Sequence, residues 1–377
     1  MKRRKPPKTA QDLRVKRSRK LVLGRSTPTG LRNWEALSSE DRAVAVAWVA
    51  RKLRNAGATG LLGAGAFQVG HGKRERRLGA DDGAREFVAT PVLVVFVRKK
   101  WPRSRSATST GSVHSQVQLR VPLHGRRLTL AIPTDVCTPG RPTPNADARA
   151  CLAVSMVGGE IDLPGSVAAL VRETGQQNGA VYLLGCHHVF FRSLVTPNAS
   201  ADATARLRSE GQNDQVLGPA TRAAPFGPGL RSIDAALVEL RASAMATVTG
   251  GGFWRRVATG IVRDDHHVAV VSQVTWELQS RYDPMPLDYV RTIFDQEIPY
   301  GSNHIPIRIA EVVVATSLGR VPMGGDSGGA VMAGPILVGL HIASDGPLSY
   351  SIPAHLLFSA QAFTPKIELA SDLIDAK

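Results

Sequence analysis

The sequence predicts a mainly β protein in which a small α/β module precedes an all-β domain, behind a basic N-terminal arm. Three observations carry this prediction. Basic residues crowd one end: residues 1–130 hold 29 Lys/Arg against 8 Asp/Glu, a net of +21, whereas residues 131–377 hold 18 against 23, a net of −5. Helical and strand patterns both occur in the first part. In the second, short β-type runs follow one another between turn signals, with no long helical pattern.

Residues 1–20, MKRRKPPKTAQDLRVKRSRK, carry ten Lys/Arg and one Asp and read as a disordered basic arm. Such an arm suits non-specific nucleic acid as a partner, through salt-dependent phosphate contacts. The remaining chain, within a sequence that is 43% hydrophobic over 377 residues, is long enough for more than one core. The apolar runs AVAVAWVA (43–50) and TPVLVVFV (90–97) end far short of a membrane span, so no membrane partner is expected. No apolar segment follows the basic N-terminus, and the three cysteines, Cys137, Cys151 and Cys186, are odd in number and not spaced as metal ligands. Cytoplasmic localisation, no cofactor and no metal are the resulting expectations.

A first helix is expected from Ser39 to Asn55, capped by Ser38 or Ser39, with Glu40 and Asp41 in its first turn and Arg51, Lys52 and Arg54 in its last. GLLGAGAFQVGHG fits neither a dinucleotide loop nor a P-loop in its glycine spacing and reads as strand with glycine-rich turns. FVATPVLVVFVR (87–98) reads as one buried strand, and alternation returns in VQLRV and LTLAIP after a Ser/Thr-rich loop at 103–115. Residues 21–135 therefore form the small α/β module. Residues 136–150, with TPGRPTPNADARA at 138–150, form a linker. Beyond it, SVAALV, AVYLLG, AALVEL, HVAVVSQVTW, IAEVVVATSL and AVMAGPILVGLHIA are all β-type, which predicts a barrel or sandwich over 151–362 and a C-terminal tail at 363–377. DDHH (264–267) reads as a solvated hairpin tip, because adjacent residues rarely converge on one metal ion. Phe253-Trp254-Arg255-Arg256 reads as a loop contact.

Residues 323–332 read MGGDSGGAVM, with four glycines around one hydroxyl. Glycines let a backbone approach a ligand closely and aim its N–H groups at one point. A serine is a poor nucleophile without a base, a carboxylate to orient that base, and donors for an oxyanion. Upstream, VYLLGCHHVFF (181–191) delivers two histidines to the end of an apolar strand. SIDAALVEL (232–240) sets Asp234 alone at the head of an apolar run, where a buried carboxylate needs a partner.

GDSGG at 325–329, His-Val at 188–189 and D-x-A-L at 234–237 resemble the signature blocks of the chymotrypsin-like serine proteases, as in bacterial trypsin-like peptidases. Order and spacing are similar too, 46 residues from His188 to Asp234 and 93 from there to Ser327. The resemblance spans roughly 150–360. It implies two six-stranded antiparallel β-barrels and a serine endopeptidase acting on protein or peptide through an acyl-enzyme. Ser327 would be the nucleophile, His188 the base and Asp234 its orienter, with the N–H groups of Gly325 and Ser327 as the oxyanion hole. His187 stands where the family has a small or polar residue. VGG at 157–159 is similar to the segment that secreted members liberate as a new N-terminus, but Ser155 and Met156 precede it, so Asp326 is expected to find another partner. At the primary pocket the resemblance places Val321, Pro322 and His341, a non-trypsin-like set with no carboxylate for Arg or Lys. The alternative is a basic nucleic-acid-binding protein that uses a protease-like fold as an inactive scaffold.

Overall fold

A serine followed by two acidic residues starts the longest helix among the described residues. The Ser38 side chain accepts the Asp41 N–H, Glu40 and Asp41 complement the positive helix end, and Lys52 and Arg54 complement the other. The computed structural model describes residues 21–23, 28–63, 65–78, 86–98, 113, 115–144, 154–157, 163–191, 204–207, 215–250, 253–254, 256–280, 283–301 and 303–374. The basic arm, most of the Ser/Thr-rich loop, the second half of the linker and Gly158–Gly159 lie outside the described residues. The chain divides into two units, Met1–Pro139 and Gly140–Lys377.

The first unit holds strands β1 (Leu21–Leu23), β2 (Ala66–Leu78), β3 (Glu86–Val97), β4 (Gln116–Leu123) and β5 (Arg126–Cys137), with helices α1 (Pro28–Glu35) and α2 (Ser39–Asn55). The sheet runs β1-β4-β5-β3-β2, antiparallel except for the parallel β3–β5 pair. Val46, Val49, Ala50 and Leu53 of α2 are buried, as are Val92–Val97 of β3. A strand with this continuous apolar run is covered on both faces. Helix α1 was not expected, since its sequence PTGLRNWE carries glycine and proline; Pro28 stands at its first position, where a missing N–H costs nothing.

The second unit opens with the two-residue strand β6 (Thr143–Pro144). Next come β7 (Val154–Val157), β8 (Leu163–Gly165), β9 (Ala169–Glu173), β10 (Val181–Gly185), β11 (Thr204–Leu207), β12 (Gln215–Ala223) and β13 (Ala236–Glu239). The others are β14 (Gly260–Ile261), β15 (Trp276–Gln279), β16 (Met285–Tyr300), β17 (Ile305–Ser317), β18 (Ala330–Ala333), β19 (Ile336–Asp345), β20 (Leu348–Pro353) and β21 (Ile367–Leu369). Among the described residues four short α-helices intervene: α3 (His187–Phe190), α4 (Ala242–Thr249), α5 (Asp265–Val271) and α6 (Ala354–Leu357). The first sheet runs β21-β9-β10-β13-β12-β11-β7-β8. In the second, antiparallel pairings lead from β16 through β15, β18, β19 and β20 to β17, and β17 pairs with β16 again. The protein is thus mainly β, and among the described residues no helix is long and apolar enough to cross a membrane.

Three expectations are corrected. HVAVVSQVTW is not one strand: Asp264 accepts the His267 N–H and starts α5, and β15 begins only at Trp276. An apolar run this short does not distinguish a buried helix turn from a strand, and the cap decides. DDHH is accordingly a helix start, not a hairpin tip. Residues 363–374 of the expected tail 363–377 are folded, for β21 pairs with β9, Ile367 is buried, and Arg172 binds Glu368 and Asp372.

Candidate active site

The β10–β13 pairing sets Gly185 opposite Ala236, so the residues just after β10 face those just before β13. Cys186 leads into α3, whose single turn begins with the two histidines. Successive residues on a helix diverge by about 100°, and the two rings go to different places. His187 stacks on Phe226 at 4.4 Å and lies 5.1 Å from Phe191. Burial pushes its imidazole down to about 4, so it is a neutral core residue. His188 turns to Asp234, with Nδ1 to Oδ2 at 2.6 Å and its backbone N–H to Oδ1 at 3.0 Å.

Asp234 is wholly buried and accepts a third bond, from the Tyr300 hydroxyl at 2.7 Å. Burial works against its ionisation, but the charge and hydrogen bonds of His188, then Tyr300, outweigh that and hold the carboxyl below its ordinary value. An ionised carboxylate only accepts, so the shared proton lies on Nδ1 of His188. Its Nε2 is buried and has no hydrogen-bond partner among the described residues.

The glycine-rich loop lies between β17 and β18. Asp326, fully buried, receives both terminal nitrogens of Arg320 at 2.6 and 2.8 Å, the Ser280 hydroxyl at 2.6 Å and the Met323 N–H at 2.8 Å. Burial disfavours its charge, and Arg320, Ser280 and Met323 together reverse the effect and keep it ionised. Arg320 is therefore the partner of Asp326. Ser166 binds the loop from the other side: its N–H donates to the Ser327 carbonyl at 2.7 Å and its hydroxyl to the Gly325 carbonyl at 2.8 Å. Gly328 adopts φ +94°, and a Cβ there would sit 1.8 Å from the Ser166 carbonyl oxygen, so no other residue fits.

The His341–Ile342 peptide joins the serine loop to the histidine segment. The His341 carbonyl accepts from Gly328 N–H at 2.8 Å and from the Cys186 thiol at 3.2 Å, while Ser327 Oγ donates to the Ile342 carbonyl at 3.1 Å. His341 itself is fully buried, with Nδ1 2.8 Å from Ser349 Oγ, and burial pushes it down to about 4. Pro322 is buried, but Val321 is 50% exposed, more than a residue at a pocket's base would be.

Among the residues that sequence reasoning passed over, Tyr300, Arg320, Ser280 and Ser166 each hold the site in place. Tyr300 ends β16, a strand that alternates buried and partly exposed residues, and a buried tyrosine hydroxyl usually finds a partner; that is a signal, though it names no partner. Arg320 is the lone cation just upstream of GDSGG. Ser166 and Ser280 carried none. Comparison of the chain with known protein families and with curated proteins finds no match.

Two stability predictions follow from these contacts. His187 and His341 protonate near 6.5 when unfolded but only near 4 when folded. Between those values the unfolded chain binds more protons, so stability is lost as pH falls from 6.5 to 4 and is fully present above it. Each histidine contributes up to about 3 kcal/mol. Urea unfolding at pH 7 and 4.5 should show a smaller acid loss for His187→Leu than for the parent chain; an equal loss refutes the assignment. Arg320→Met leaves the Asp326 carboxylate buried without its cation and should cost about 3–5 kcal/mol. A cost below about 1 kcal/mol at pH 7 would mean that the pair does not hold the loop.

Proposed function

We propose that the chain is a serine endopeptidase of the chymotrypsin-like type. The observation that carries the reading is His188 Nδ1 held at 2.6 Å by the fully buried Asp234. This contact fixes the ring's tautomer and supplies the counter-charge an imidazolium needs. In this reading Ser327 Oγ leaves the Ile342 carbonyl by rotation about χ1 and gives its proton to Nε2 of His188 as it attacks the substrate carbonyl. The oxyanion forms against the N–H groups of Gly325 and Ser327, where one donor is worth about 3–4 kcal/mol. His188 then hands the proton to the leaving amine as the C–N bond breaks, and water resolves the acyl-enzyme by the same path reversed.

The ring of pairings among β15–β20 supports assigning one six-stranded barrel to that half of the unit, and the sheet of β7–β13 corresponds to the other. The bidentate Arg320–Asp326 pair supports a loop ordered without a liberated N-terminus. For specificity, the primary pocket carries no carboxylate. In this reading Pro322 and the neutral, buried His341 line it, and Leu318, Val321 and Met323 are exposed apolar residues in the same stretch of chain. Protein or peptide without a basic residue before the scissile bond is the substrate.

A fluorophosphonate probe should label the parent chain and leave Ser327→Ala unlabelled. His188→Ala should lose peptide hydrolysis by several orders of magnitude while remaining folded, and Asp234→Asn should be severe. Labelling of both the parent and Ser327→Ala, or of neither, overturns the proposal. A peptide-library profile should lack a preference for Arg or Lys, and a dominant basic preference would refute the pocket assignment.

A further inference from the structure

Three side chains from separate elements of the second unit converge outside the triad. Asp265 opens α5, Glu311 lies in β17, and His355 is the second residue of α6. His355 Nε2 is 3.4 Å from Glu311 Oε1 and 3.7 Å from Asp265 Oδ1, and one ligand atom from each lies within 4.8 Å of the others. Asp265 and Glu311 are 6% and 4% exposed, and the His355 side chain 11%.

The chemistry of this group differs from that of the triad. There one carboxylate meets one imidazole at hydrogen-bond distance, and the pair can be neutral in sum. Here two buried carboxylates share one histidine, so an ionised pair leaves negative charge in excess even with the ring protonated. The separations are also longer than the 2.6 Å of His188 and Asp234. Ligand atoms about 2.0–2.1 Å from a tetrahedral zinc ion lie roughly 3.3–3.4 Å apart, close to the separations His355 makes with the two acids. One imidazole nitrogen with two carboxylate oxygens suits such an ion. Calcium takes six to eight oxygens, and magnesium keeps most of its waters.

We propose that Asp265, Glu311 and His355 form a zinc site with three protein ligands and a fourth position for water, which ties α5 and α6 to β17. The sequence motif DDHH supplies only Asp265 to it; the other two ligands come from later in the chain.

The test uses the full-length chain, stripped with a chelator, with Zn²⁺ and Co²⁺ as the probes. Isothermal titration should give one Zn²⁺ per chain, and added Zn²⁺ should raise the melting temperature. Glu311→Gln and His355→Gln should each weaken binding by at least about tenfold. Asp265→Asn, nearly isosteric, carries the test if either of those fails to fold by circular dichroism. Cys186, His188 and Asp234 also lie close enough to hold an ion, and Co²⁺ distinguishes the two groups. A spectrum without a thiolate charge-transfer band supports the Asp265 site. A thiolate band at one equivalent, no stoichiometric binding, or unchanged affinity in the folded variants would each overturn the proposal, the last two leaving a proton-sharing carboxylate pair.

Discussion

One carboxylate, that of Asp234, organises the region where β10, β13 and β16 meet. A charge with no exposure to water is costly unless donors replace its hydration, and three do so: the backbone and ring of His188, and the Tyr300 hydroxyl. Each donor belongs to a segment that must stop in a particular place. The α3 turn presents both nitrogens of His188 together. Strand β16 runs through sixteen residues to end on Tyr300, and β13 begins two residues after the acid. Satisfying this one group thereby sets the position of a ring, a strand end and a turn.

The serine loop solves a second problem of the same kind with different means. Asp326 is also fully buried, but its partner is a cation, and a guanidinium fork matches both carboxylate oxygens at once. The two ends of the loop are then set separately. Arg320 and Ser280 fix Asp326, and Ser166 fixes the carbonyls of Gly325 and Ser327. Gly328 lies where the Ser166 backbone comes so close that any Cβ would collide. The four glycines noticed in the sequence thus include one whose identity is required by a neighbour 162 residues away.

The two histidines at 187–188 illustrate how a helical turn separates roles that a sequence leaves together. Both are buried and adjacent, and both follow the same strand. One faces the aromatic rings of Phe191 and Phe226, where a neutral imidazole packs as an aromatic would. The other faces an ionised carboxylate. Their chemistry diverges because of direction alone, about a quarter turn of helix.

Local chemistry determined much of this protein without help. The cap at Ser38 and the charges of the first and last turns place the helix Ser39–Asn55, and short apolar runs place β3, β10, β13 and β17–β19, because these signals act within a few residues. The GDSGG loop, the paired histidines and the isolated Asp234 were legible for the same reason: an unusual side chain in an apolar or glycine-rich stretch stands out by itself. What only the tertiary structure decided was partnership. Nothing in the stretch HVAVVSQVTW says helix until Asp264 caps it, and residues 363–377 look like a tail until β9 offers an edge. Tyr300, Ser280, Ser166 and the grouping of Asp265 with Glu311 and His355 lie far from their partners in the chain. A donor and a buried charge find one another through packing, and packing distance has no fixed relation to sequence distance.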